Sequence, residues 1–285
     1  MPELPEVETV VRGLASRLEG RTIASHLVIC AKTARGTDPE LWRALAGRKI
    51  LRLGRRGKMI LMACDAGLTL LVHLKMTGQL ILRPARRPRD KHTRFVLRFE
   101  DRTDELRFRD VRKFGFVKCI RTDDLPDLRE IRELGPEPLD LHFSAFTRIF
   151  KNRKARLKSL LLNQKAVAGI GNIYADEMLH RARLHPLTPA GSLAEGELKL
   201  LWISMRRVLR EAIRHRGSSV RDFRDAEGAA GKFQNRHRVY GRESLPCLSC
   251  GEAIRRIKVG SRSSYFCPAC QESRARKSSG RSRAV

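Results

Sequence analysis

The sequence predicts an α+β, multidomain chain: an antiparallel β-sandwich led by one helix, then a mostly helical region and a cysteine-rich end. Three observations carry this reading. Apolar residues recur at helical spacing from Pro5, short strand-like runs separated by turn residues fill most of the next hundred positions, and helical periodicity takes over after a Gly- and Pro-bearing interruption at 133–143.

In the leading segment Val7, Val10, Val11, Leu14 and Leu18 share one helical face, with Pro5 and Glu6 suited to a first turn. Runs at 22–30, 49–53, 58–64, 68–74, 79–83, 93–100, 104–109 and 115–120 then read as strands, separated by hairpin-type sequences such as "DAG" and "EDRTDE". Consecutive hairpins of this kind build a sandwich or flattened barrel. Residues 1–133 are therefore taken as one domain and 134–142 as a linker. Helical runs follow, within a region extending over 143–237. Its last part, 217–237, is a Gly-, Ser- and charge-rich stretch too long for a simple connection, and loops of that length are usually functional or mobile. The segment 238–271 holds four cysteines, and 272–285 is a basic, low-complexity tail expected to be disordered.

Length and charge bound the function. The 285 residues suffice for two domains with a real core, and 41% of them are hydrophobic. No apolar run reaches the roughly 18 residues of a membrane span, and the N-terminus lacks the layout of a secretory signal. With 59 Lys and Arg against 31 Asp and Glu, the net charge is +28. A polyanion is the expected partner, against the plainer reading of a solubilising surface.

Seven cysteines are too unevenly spread for a disulfide scaffold. Cys30, Cys64 and Cys119 stand in apolar, strand-like contexts and are expected to be reduced and buried. "CLSC" at 247–250 and "CPAC" at 267–270 form C-x2-C-x16-C-x2-C. Two such knuckles present four thiolates, Cys247, Cys250, Cys267 and Cys270, which close a tetrahedral shell around one structural zinc ion and leave no open position for catalysis. The intervening "GEAIRRIKVGSRSSYF" reads as a β-hairpin with a basic tip, suited to a nucleic-acid groove.

Taken in order, "PELPEVETVVRGL" at the start, "RRGK" at 55–58, "HLKMTG" at 73–78, "RDVRKFG" at 109–115, "LGPEPL" at 134–139, "GIGNIYADE" at 169–177 and the cysteine-bearing end resemble the bacterial formamidopyrimidine-DNA glycosylases. The resemblance runs from residue 2 to about 271 and stops at the tail. It implies a helix-two-turn-helix bundle and a zinc-finger hairpin behind the β-sandwich, with DNA held in a basic cleft. It also implies a bifunctional DNA repair enzyme that excises oxidised purines (8-oxoguanine, formamidopyrimidines) from duplex DNA and then cuts the strand by β,δ-elimination. Removal of Met1 would leave the secondary amine of Pro2 as nucleophile; an α-amine that is partly neutral at pH 7 can attack a carbon centre without strong activation. Glu3 would be the proton donor for sugar-ring opening and Lys58 the donor for β-elimination. Arg262 matches an arginine associated with δ-elimination and phosphate binding, and its forked, permanent charge suits the clamp better than proton donation. Glu6 is expected to shape the site, or simply to favour the helix N-terminus.

Reaching a sugar carbon inside a duplex requires extruding the nucleotide and filling the gap. By resemblance Met76, Arg112 and Phe114 fill it, Phe114 as wedge, Met76 as pliable filler and Arg112 facing the orphaned base. Asn172 at a helix start, with His73, His92, Arg153 and Lys158, would contact phosphates, and the 217–237 stretch would cap the lesion. The expected partner is damaged double-stranded DNA. The enzyme would act as a monomer in a bacterial cytoplasm, at the nucleoid, with no membrane and no nucleotide cofactor. The competing readings are an endonuclease VIII-type oxidised-pyrimidine glycosylase, whose opening is "PEGPE", and a catalytically inactive zinc-ribbon DNA-binding protein.

Overall fold

In the computed structural model, which describes residues 1–220 and 222–273, the first regular element is helix α1, Leu4–Leu18. Its start is built by its own residues. Glu3 stands in extended backbone as the N-cap, Pro5 occupies the first turn, and the Glu6 carboxylate accepts the Glu3 N–H at 2.8 Å, completing a capping box. The face carrying Val7, Val10, Leu14 and Leu18 is buried, as its periodicity requires.

Strands β1 (Ile23–Val28), β2 (Ile50–Arg56), β3 (Met59–Cys64), β4 (Leu68–His73), β5 (Gly78–Pro84), β6 (Thr93–Phe99), β7 (Asp104–Asp110) and β8 (Phe116–Arg121) form two antiparallel four-stranded sheets. One has the order β1-β6-β7-β5, the other β2-β3-β4-β8. Alternate residues, such as Ile60 and Met62 on β3, Leu70 and Val72 on β4, and Phe95, Leu97 and Phe99 on β6, enter one core shared with α1. Two sheets with their inner faces in a single core make a sandwich. The sequence reading missed the short helix α2, Pro39–Ala44, capped by the Asp38 carboxylate accepting the Glu40 N–H at 2.8 Å. Six residues are too few to display a helical period. Cys64 and Cys119 are buried as expected, whereas Cys30 is only half-buried, because it lies beyond the end of β1 at Val28 and caps the short 3-10 turn Ala31–Ala34.

The chain divides into two compact units, one of Met1–Glu133 with Ala212–Gln234, the other of Leu134–Glu211 with Asn235 onward. Within the first unit the polar stretch beginning at 217 is anchored. Phe223 and Ala226 join the sandwich core, the Leu82 N–H donates to the Ala226 carbonyl at 3.2 Å, and Gln79 Nε2 donates to the Asp222 carbonyl at 2.5 Å. Arg221 and residues 274–285, the greater part of the expected basic tail, lie outside the described residues.

Glu105 on β7 is 3% exposed and takes hydrogen bonds from Arg89, Arg98 and Arg107. Burial pushes its carboxyl upward, but the three guanidinium groups outweigh this and hold it at about 2. Because that value lies below the unfolded one, the contribution to stability is present above about pH 4.5 and is lost as pH falls through about 2. Glu105→Gln leaves the buried Arg107 short of its counter-charge and should cost about 3 kcal/mol at neutral pH, read as a lowered urea midpoint. An unchanged midpoint would show that the carbonyls of Pro88 and Arg87, which Arg107 also engages, suffice.

The second unit holds α4 (Phe143–Phe150), α5 (Leu157–Leu162), α6 (Asn172–Arg181) and most of α7 (Glu195–Arg214), after the one-turn α3 (Arg129–Arg132) has closed the first unit. Gln164 stabilises the two turns between α5 and α6, donating to the Ile170 carbonyl at 2.8 Å and accepting the Gly169 N–H at 3.0 Å. Gly169, at φ +82°, supplies the left-handed backbone that this connection needs. Strands β9 (Arg255–Val259) and β10 (Arg262–Phe266) form the hairpin between the cysteine knuckles. Among the described residues no helix is long and apolar enough to cross a membrane.

Candidate active site and nucleic-acid interface

Pro2 and Glu3 are both buried at the start of α1. While one oxygen of Glu6 caps Glu3, the other accepts the Ser218 N–H at 2.7 Å. Gly217 has φ +75°, and a Cβ there would stand 2.6 Å from Glu6 Oε1, so only glycine fits beside this carboxylate. Glu6 therefore joins the beginning of the chain to the beginning of the 217–234 stretch, a role beyond a favourable helix-end charge.

The terminal amine of Met1 reports the electrostatics of this corner, one residue upstream of the Pro2 nitrogen. Burial pushes it below the ordinary α-amine value, Glu3 and Glu6 oppose that shift, and Lys58 reinforces it. Lys58 stands in the two-residue turn between β2 and β3 beside Gly57 at φ +56°, and is only 7% exposed. A turn lysine would ordinarily be solvated; this one is enclosed. The turn is tied to α1 through Arg55, which pairs with Glu8 at 3.1 Å and donates to the Gly57 carbonyl at 3.0 Å.

His73 ends β4 close to these cations. Burial first, then the charges of Lys75 and Lys58, push its imidazole down to about 3, so it is neutral at physiological pH. Its Nδ1 accepts the Lys75 N–H at 2.9 Å, which leaves the ring proton on Nε2 as a donor for an anion. His92 is half-buried, with its Nδ1 3.4 Å from Arg94.

Met76, Arg112 and Phe114 lie on two loops held by one residue that the sequence reading missed. Asp110, 0% exposed, accepts from Thr77 Oγ1 at 2.5 Å, the Arg112 N–H at 3.2 Å and the Gly115 N–H at 2.8 Å. Met76 is half-buried and Arg112 exposed, its guanidinium 4.8 Å from the Phe114 ring. Phe114 itself is 48% exposed.

In the second unit Lys158 corrects an expectation. It is not at the surface to meet phosphate but is completely buried, its Nζ 2.7 Å from Asp176 and 2.9 Å from the Asn172 carbonyl. It shares the inward face of α5 with Leu157 and Leu161, so its position on the helix commits it to the interior. Asp176 also accepts from Ser264 Oγ at 2.6 Å and the Tyr265 N–H at 3.1 Å. The neighbouring Glu177 accepts the N–H groups of Arg238, Val239 and Tyr240 at 2.9–3.1 Å. These two acids fasten α6 to the hairpin and to the chain entering it. Two carboxylates amid the small and apolar residues of "NIYADEML" signal buried acceptors, though nothing local names their donors. Asn172 opens α6 and donates from Nδ2 to the Ser263 carbonyl at 3.0 Å. Arg153 is exposed, and so is Arg262, which follows the hairpin turn at Gly260.

The four thiol groups of Cys247, Cys250, Cys267 and Cys270 lie within 4.8 Å of one another, with individual Sγ–Sγ separations of 3.4–3.9 Å. A tetrahedron of thiolates about 2.3 Å from zinc has edges of about 3.8 Å, so the quartet fits one zinc ion. The knuckle geometry is set by N–H···S contacts of 3.4 Å from Ser249 to Cys247 and from Cys270 to Cys267.

Comparison with known proteins agrees with this arrangement part by part. Three family models match in order: the formamidopyrimidine-DNA glycosylase N-terminal domain over residues 1–117, the formamidopyrimidine-DNA glycosylase H2TH domain over 134–224, and the zinc finger found in FPG and IleRS over 244–272. The formamidopyrimidine-DNA glycosylase of Desulforamulus reducens is 45% identical over 278 residues, covering 96% of this chain and 100% of the relative. That of Solibacter usitatus is 47% identical over 273 residues, covering 95% and 100%. Among solved structures, Lactococcus lactis Fpg in complex with DNA containing an abasic site superposes with a TM-score of 0.89 at 36% identity, covering 95% of this chain and 100% of that one. A sandwich with its buried N-terminal end, a helical unit and a four-thiolate finger, matched along nearly the whole chain, place this protein in the formamidopyrimidine-DNA glycosylase family, whose members are DNA repair glycosylases acting on damaged DNA.

Proposed function

We propose that this chain is a bifunctional glycosylase and abasic-site lyase that removes oxidised purines from duplex DNA, with the amine of mature Pro2 as nucleophile. The observation that carries the reading is one enclosed corner: Pro2 and Glu3 are buried at the start of α1, Glu6 accepts the Glu3 N–H at 2.8 Å, and Lys58 is 7% exposed and acts electrostatically on the adjoining terminal amine of Met1. An amine whose cationic form is disfavoured by burial keeps a larger neutral fraction, and only the neutral form has a lone pair for attack.

Pro2 nitrogen attacks C1′ as the bond to the damaged base breaks, while Glu3 protonates the ring oxygen and opens the sugar. Because Pro2 is a secondary amine, the product is a cationic iminium, which acidifies the C2′ proton. Loss of that proton expels the 3′ phosphate, with Lys58 supplying a proton to the departing group, and a second elimination at C5′ releases the other phosphate. Arg262 clamps phosphate during these steps. His73, through its Nε2 proton, with His92, Arg153 and Asn172, positions the backbone; Met76, Arg112 and Phe114 fill the vacated stack. Zinc, when bound by its four cysteines, supplies structure alone and holds the hairpin that presents Arg262.

The lesion class is supported by the name that the relatives carry, formamidopyrimidine-DNA glycosylase, and by a Lactococcus lactis Fpg complex with Fapy-dG-containing DNA. A second Lactococcus lactis complex contains an oxidised pyrimidine, which supports a wider lesion set as the alternative. The test is borohydride trapping on a duplex with 8-oxoguanine opposite cytosine, followed by peptide mass mapping. The adduct is expected on a peptide beginning at Pro2. An adduct on Lys58 would overturn the nucleophile, and trapping on a pyrimidine lesion alone would overturn the substrate class.

A further inference from the structure

A cavity of about 340 Å³ in the first unit is lined by Lys32, Arg35, Lys113, Lys118, Phe114 and Phe116. Its wall is firmly built. The 3-10 turn Ala31–Ala34 is anchored by the fully buried Thr33, and just beyond it Thr37 Oγ1 accepts the Cys119 N–H of β8 at 3.1 Å. Lys32 and Arg35, both exposed, are thus presented from a fixed turn.

The charges are not balanced. Lys118 pairs with Glu130 at 2.5 Å, but among the described residues no carboxylate pairs with Lys32, Arg35 or Lys113. Unneutralised cations gathered at one concavity raise the local potential for an anion. The rings are equally suited to a ligand: Lys32 Nζ lies 5.5 Å from the centre of Phe114, Lys118 Nζ lies 5.3 Å from that of Phe116, and the Phe114 ring is half open to solvent. Cations interleaved with accessible aromatic faces match a nucleotide, whose phosphate takes the charge while its base stacks.

We propose that this cavity is a further nucleic-acid subsite, holding the phosphates next to the orphaned base in the strand that carries no lesion. The assignment rests on the function proposed above. If Phe114 fills the gap left by the extruded nucleotide, the damaged strand leads to Pro2 and Lys58, and the surface continuing past the wedge faces the other strand.

The experiment compares the wild-type protein with the double variant Lys32→Ala, Arg35→Ala on a duplex carrying a stable abasic-site analogue. A second duplex replaces the two phosphates flanking the orphaned base with uncharged methylphosphonates. Each lost phosphate contact lowers the slope of log affinity against log salt by about 0.9, so the double variant should lose close to 2 from that slope. Wild-type affinity should fall on the methylphosphonate duplex, and the variant, which keeps only Lys113 and Lys118 of the cavity's cations, should show a clearly smaller fall. An unchanged salt slope in the variant, or equal wild-type affinity for both duplexes, would overturn the subsite. Sensitivity to methylphosphonates in the lesion strand instead would overturn the strand assignment. Borohydride trapping at saturating DNA separates this from the parent reading: it should be normal in the variant, while its absence in the wild-type protein would count against the proposed chemistry itself.

Discussion

Protein prepared with Met1 retained should excise 8-oxoguanine at least roughly 10⁴-fold more slowly in single-turnover assays than the same chain with Pro2 exposed, the scale expected when a nucleophile is removed. In the retained form the Pro2 nitrogen is part of an amide, whose lone pair is delocalised into the carbonyl and cannot attack C1′. The free amine of Met1 is displaced by a residue from the position that Glu3 would serve. Binding to a duplex with an abasic-site analogue should survive, because the phosphate contacts proposed for His73, His92 and Arg262 remain in place. Comparable excision by both preparations would eliminate Pro2 as nucleophile and return attention to Lys58, whose enclosed amine shares the same corner.

Removing zinc should abolish tight DNA binding by at least about 100-fold while leaving the sandwich folded. The finger has little to hold it otherwise: its apolar cluster comprises Val239, Cys247, Ile254 and Cys267, with Tyr265 and Cys270 against it, and three of those six, Cys247, Cys267 and Cys270, are themselves members of the metal shell. A core this small cannot offset the entropy of ordering the hairpin, and a structural zinc site contributes about 10 kcal/mol or more in small metal-dependent domains. Chelation, or paired substitution of Cys247 and Cys250 by alanine, should therefore release one equivalent of zinc and free the segment carrying Arg262. Circular dichroism should retain the β signature of the first unit. Wild-type affinity after complete zinc loss would mean that the links from Asp176 to Ser264 and Tyr265 hold the hairpin without metal.

Local chemistry explains why some of this was legible in the chain. The buried face of α1, the alternating strands and the two cysteine knuckles each depend on residues a few positions apart, and periodicity or spacing reports them directly. Recognition of the motifs added candidate roles for Pro2, Glu3, Lys58 and Arg262, which their residue types alone could not supply. The partners of buried polar groups were not accessible in the same way. Glu6 meets Ser218 across 212 positions, Asp110 organises two loops, and Lys158 turns inward to Asp176 although its neighbours in sequence include exposed cations. A one-dimensional pattern tells which face of an element avoids water. Which distant donor satisfies a carboxylate, and whether a lysine meets solvent or a buried acid, depends on how separate elements come together, because an unpaired charge in the interior costs several kcal/mol and only the assembled fold can provide its counterpart.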